Sequence, residues 1–260
     1  MTLAIVTYVP EGIIMASDSR QSITVEAKTP EGVDLRKIET INSDNVYKTF
    51  LLSRKDPYGR PLFEIGVNFF GQDLLNNVPM ASHVKKFAEA ELTDSDDITT
   101  VPKKMLEFFR KVFPNAETGF HIAGYRKEGK VSIPYVFYCH VSKNIFDQRK
   151  NFDPNGTLIY GATWSGQIDI LTSIIQPSLQ QGPEGKPVTI LKPPIIWDAM
   201  PLQDAIDFSA FAIRVTIETI RFQARPKNVG GAVDILALTP DGANWIQRKQ
   251  LQLGEYAFTK

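Results

Sequence analysis

Residues 1–20 read MTLAIVTYVPEGIIMASDSR. Two apolar runs, 3–9 and 12–17, flank the turn residues Pro10, Glu11 and Gly12, and the second ends abruptly on Asp18, Ser19 and Arg20. Runs of this length, rich in aliphatic residues and separated by turn formers, predict a β-hairpin. Its first strand begins directly after Thr2, and its second returns a carboxylate, Asp18, toward that same end.

Outward from the hairpin, strand patterns recur at 47–53 and 62–69, separated from it by a polar, weakly alternating stretch, 21–45, that reads as an extended arm or long hairpin. The period then changes. "GQDLLNNVPMASHVKKFAEAEL" (71–92) carries Leu74, Leu75, Val78, Val84, Phe87 and Ala88 at helical spacing. A second helix is expected to start after Thr99 or Thr100 and to run to Phe113. It tolerates Pro102 in its first turn and buries Met105, Phe108, Phe109 and Val112. Strands return at 118–126, 131–141, 144–149 and 157–161, followed by a helix over 166–180 and a Pro/Gly-rich loop over 181–197. A long helix from Pro201 to about Gln223 and two strands, 232–239 and 243–250, close the chain. Strands, helices, strands, helices, strands in segregated blocks predict an α+β fold in one domain over 1–260. The expected arrangement is a four-layer αββα sandwich of two antiparallel sheets flanked by helix pairs.

Composition narrows the chemistry. The 260 residues carry 29 basic and 29 acidic side chains, which gives no electrostatic case for nucleic acid or an anionic membrane surface. A lone cysteine, Cys139, excludes a disulfide framework and reads as a core residue. No basic-then-apolar leader precedes the first strand and no 18-residue apolar run occurs, so a cytoplasmic protein without a membrane span is expected. Phosphate-binding glycine loops and the Gly-x-Ser-x-Gly elbow are absent, and His83, His121 and His140 lack ligand spacing. No cofactor and no metal are therefore expected.

One nucleophile needs no internal histidine. A terminal threonine has its own α-amine beside its hydroxyl, and that amine titrates near pH ~8, so a useful fraction is neutral and can act as base. Removal of Met1 would expose Thr2 in this role. On its own this is a weak signal, because many chains begin Met-Thr.

Taken together, Thr2, the hairpin and Asp18 sixteen positions on resemble the start of a proteasome β-type subunit. In "NVYKTFLL", Lys48 stands where that family presents a lysine, with Tyr47 before it. "PLQDAIDFSAFAIRVTIETI" and "GGAVDILALTPDGANWI" resemble the family's last long helix and closing hairpin, so the resemblance spans nearly the whole chain. "YGATWSGQIDIL" is similar to bacterial homologues of the Anbu type (ancestral β-subunit).

The resemblance implies an N-terminal-nucleophile (Ntn) hydrolase of the threonine peptidase type. Thr2 would be nucleophile and base, Lys48 a cation beside it, and Asp18 the partner that orients Lys48. Ser165 would be a supporting hydroxyl, with Thr163 as the alternative if the alignment slips and a helix N-cap as its structural role. It also implies self-association into a ring or open ring and a peptide or unfolded-protein substrate. One departure stands out: "RPKNVGG" puts Pro226 and Val229 where active subunits often carry an acid and a serine. A non-catalytic assembly subunit and an Ntn amidase acting on a small amide are the competing readings.

Overall fold

Pro10 and Glu11 turn the chain so that β1 (Leu3–Val9) pairs antiparallel with β2 (Gly12–Ser17), Ala4 opposite Ser17 and Val9 opposite Gly12. The computed structural model describes residues 2–28, 34–181 and 186–250. Met1, whose removal the sequence reading invokes, and part of the expected 181–197 loop lie outside the described residues. Further elements are β3 (Gln21–Lys28), β4 (Asp34–Ser43), β5 (Thr49–Lys55), β6 (Pro61–Gly71), β7 (Leu74–Leu75) and β8 (Val78–Pro79). Then come α1 (Met80–Ala90), α2 (Val101–Val112), β9 (Thr118–Glu128), β10 (Val131–His140), β11 (Ile145–Arg149) and β12 (Gly161–Gly166). The rest are α3 (Asp169–Ile175), β13 (Ser178–Gln181), β14 (Pro187–Ile190), α4 (Leu202–Phe222), β15 (Asp234–Thr239) and β16 (Gly242–Gln247).

Two five-stranded antiparallel sheets dominate, in the orders β12-β1-β2-β15-β16 and β11-β10-β9-β6-β5. Successive strand residues point to opposite faces, so each sheet presents two distinct surfaces. On the first sheet, Leu3, Ile5, Ile14, Ala16 and Ile235 pack with Leu171 of α3 and Ala205, Ile213 and Ile220 of α4. On the second, Val67, Phe69, Phe120 and Ile122 pack with Val84 and Phe87 of α1 and Met105 and Phe109 of α2. The opposite faces meet each other: Val6, Tyr8, Ile13, Met15, Leu236 and Leu238 cluster with Ala123 and Val136. Gly66 belongs to this layer, where a Cβ would lie 2.3 Å from Met15 Sδ. β3 and β4 form a separate two-stranded hairpin within the stretch read as an arm.

Several sequence expectations shift, among them the burial of Val112, which is 55% exposed, and the loop over 181–197, where Pro187–Ile190 form β14 against β13. The helix expected across 71–92 starts only at Met80, because Asn76 and Asn77 adopt positive φ (51° and 62°) and turn the short β7–β8 hairpin, after which Pro79 precedes the helix. The strand expected at 157–161 is β12 at 161–166, set by its pairing with β1 rather than by local pattern. The helix expected over 166–180 shrinks to α3 and is followed by β13.

Candidate active site

β1 and β12 end together. Leu3 pairs with Gly166, and the Gln167 N–H donates to the Thr2 carbonyl at 2.7 Å. Gly166 has φ +97°, and a Cβ there would sit 1.7 Å from the Thr2 oxygen, so only glycine lets the chain close over Thr2 this tightly. Thr2 is thus held at the sheet end with 1% of its surface exposed.

The Asp18 carboxylate lies one hydrogen bond from this point. Its Oδ1 accepts the Leu3 N–H and the Lys48 Nζ, each at 3.0 Å, while Oδ2 accepts the Arg20 and Gly230 N–H groups, each at 3.1 Å. Lys48 donates also to the Arg20 carbonyl at 2.5 Å, and its own carbonyl accepts the Phe69 N–H, tying the residue to β6. Both side chains of the Asp18–Lys48 pair are 0% exposed. Burying two charges carries a desolvation cost that attraction between them offsets only when the remaining donors and acceptors are satisfied. Here four donors converge on one carboxylate. The structure therefore brings Thr2, Asp18 and Lys48 together: the residue after Thr2 and the Lys48 ammonium share one carboxylate oxygen.

Arg20 braces this arrangement from outside. Its guanidinium forms two hydrogen bonds to Asp44 (2.6 and 2.7 Å) and one to the Lys227 carbonyl, and lies flat against Gly230. Hydrogen bonding to Asp44 raises the Arg20 pKa, and the same contact lowers that of Asp44. Close by, Lys249 pairs with Asp234, whose Cα partner in β2 is Ser17, and its ammonium stands 4.3 Å above the Tyr47 ring. Burial lowers the Lys249 pKa against the pull of Asp234.

Ser165 lies within β12, opposite Ala4; the N-cap of α3 is Ile168, so the N-cap role for Ser165 does not hold. Its hydroxyl meets His121 Nε2 at 3.0 Å, a bond that crosses from one sheet to the other. Further polar contacts beside it link the two sheets. Ser17 Oγ meets Thr49 Oγ1 at 2.7 Å; Thr49 donates to Asn68 at 2.8 Å; Asn68 donates to the Ile5 and Ala16 carbonyls. Thr49, Asn68 and His121 are register neighbours across β5, β6 and β9. Sequence reasoning missed this row. Its signal was available: Asn68 interrupts Val67–Phe69 and His121 interrupts Phe120–Ile122, each on the side facing the other sheet. His121 is fully buried, and burial, with the Lys150 charge adding to it, pushes its pKa down to about 3. Among the described residues, no three His, Cys, Asp or Glu side chains are grouped to hold a metal, and no helix is long and apolar enough to cross a membrane.

No protein-family profile matches the chain, and no curated protein matches it in sequence. Solved structures do. A Gly-1 mutant of Anbu from Hyphomicrobium sp. strain MC1 superposes with a TM-score of 0.55 at 13% identity, covering 96% of this chain and 86% of that one. Anbu (ancestral β-subunit) from Yersinia bercovieri does so with 0.55 and 13%, covering 95% and 88%. The chain therefore has an Anbu-like, proteasome-subunit-like fold of mixed helices and antiparallel sheets.

Proposed function

We propose that this chain is a threonine-type N-terminal nucleophile peptidase once Met1 has been removed. In this reading the two sheets and their helices form a single-domain αββα sandwich. The subunits associate into a ring or open ring in the cytoplasm and cleave peptide or unfolded-protein substrates. The observation that carries the proposal is the fully buried Asp18–Lys48 pair whose shared oxygen also holds the Leu3 N–H. A buried lysine fixed one residue from a prospective terminal threonine supplies a cation at that point. Thr2 Oγ attacks the peptide carbonyl carbon and its proton passes to the Thr2 α-amine. The amine returns that proton to the departing amine as the C–N bond breaks. Water then hydrolyses the Thr2 ester, regenerating the hydroxyl. Lys48 disfavours protonation of the α-amine, and Asp18 holds Lys48 in place.

A second reading, a non-catalytic assembly subunit, draws on the burial of Thr2, which leaves 1% of its surface exposed. Intact mass of the chain made in a host with methionine aminopeptidase separates the two. Loss of Met1, together with a Thr2-directed epoxyketone adduct that is absent from Thr2→Ala and Lys48→Ala, is the result expected for the peptidase. Retained Met1 with no adduct gives the assembly subunit instead. Turnover of small amides but not of peptides by the Met1-free chain identifies an amidase.

A further inference from the structure

We propose that His121 is a positioning residue for this site: its neutral ring accepts the Ser165 hydroxyl proton at Nε2 and turns the Ser165 oxygen toward the Thr2 α-amine. The proposal rests on the reading of Thr2 as a terminal nucleophile.

Three observations converge on it. First, Ser165 is opposite Ala4, so its side chain leaves the sheet on the same face as Thr2, as a diagonal neighbour. Second, its Oγ is 3.0 Å from His121 Nε2, and His121 is fully buried on the facing sheet, so the histidine side of the contact is shut off from solvent. Third, the other ring nitrogen, Nδ1, has no hydrogen-bond partner among the described residues. The rings of Phe70 and Tyr138 flank the imidazole, their centroids 5.2 and 5.9 Å from its own. An N–H aimed at an aromatic face keeps a weak partner, whereas a lone pair aimed there keeps none. That preference places the proton on Nδ1 and leaves Nε2 to accept. Ser165 then spends its only proton on His121, and its oxygen is free to accept an N–H from the α-amine. The amine's lone pair stays available for the Thr2 hydroxyl proton. Charged and titratable groups around the ring are Lys150, Tyr138 and, across Phe70, His140; burial and Lys150 both keep the imidazole neutral.

The test uses the full chain with Met1 removed and follows epoxyketone adduct formation by mass from pH 6 to 9, alongside 15N spectra of labelled histidines. His121→Leu is expected to slow adduct formation by about tenfold to a hundredfold and to move the pH midpoint of the rate. His121→Gln, whose amide oxygen also accepts, restores most of the rate. Combining His121→Leu with Ser165→Ala costs no more than either alone, because the two act as one unit. The spectra show an Nδ1-protonated His121 whose Nε2 resonance shifts in Ser165→Ala. Unchanged rate and pH profile in His121→Leu, additive losses, or an Nε2-protonated ring would each overturn the proposal. Absence of any adduct in the parent chain overturns the catalytic reading first, and this role with it.

Discussion

The layer between the two sheets is built in two ways. Toward the β1–β2 turn it is apolar: Val6, Tyr8, Ile13 and Met15 meet Leu236, Leu238, Ala123 and Val136. Toward the Thr2 end it is polar: Ser17, Thr49, Asn68, His121 and Ser165 bridge the sheets by hydrogen bonds, with the Asp18–Lys48 pair beyond them. The apolar half tolerates small adjustments, since dispersion contacts are many and undirected. The polar half does not, because each buried donor or acceptor left without a partner costs about 1–3 kcal/mol. One half supplies cohesion and the other a fixed geometry, which a site needs.

The sharpest way to break that contrast is Asp18→Ala, which strips the acceptor from Lys48 and from three backbone N–H groups at once. A loss of about 3–5 kcal/mol in urea unfolding is expected, as for other buried ions left unpaired. In the apolar half, Met15→Ala removes a fully buried side chain and is expected to cost about 3 kcal/mol, with no dependence on pH. The polar half differs on that last point. His121 has a folded pKa of about 3 against an ordinary value near 6.5. Between those values the unfolded chain binds more protons, so stability falls as pH drops through this window. From pH 7 to pH 5 the loss is about 2 kcal/mol, and His121→Gln should flatten the curve over that range. A variant whose pH dependence matches the parent would assign the titration to another group.

Much of the frame was legible in the chain. The 3–9 and 12–17 strands fall where the apolar runs place them, and α4 spans Leu202–Phe222 against an expected start at Pro201, because twenty residues of helical periodicity outweigh local noise. Asp18 could be placed beside Thr2 because spacing along a hairpin converts directly into proximity, whereas Lys48, ahead of β5 in the other sheet, was named through the family resemblance. His121 could be named by neither route. Its contact with Ser165 depends on two strands of different sheets being set face to face, and no local pattern encodes that register. The shift of β12 has the same origin: residues 161–166 are a strand because β1 pairs with them, not because their sequence demands it.

Asp18 gathers donors from Leu3, Arg20, Lys48 and Gly230, points spread over most of the chain. A ribosome releases those points in order: Leu3, Arg20 and Lys48 come early, and the Gly230 N–H comes late. During synthesis the fourth donor to this carboxylate therefore arrives only when Gly230 has emerged and the chain is nearly finished.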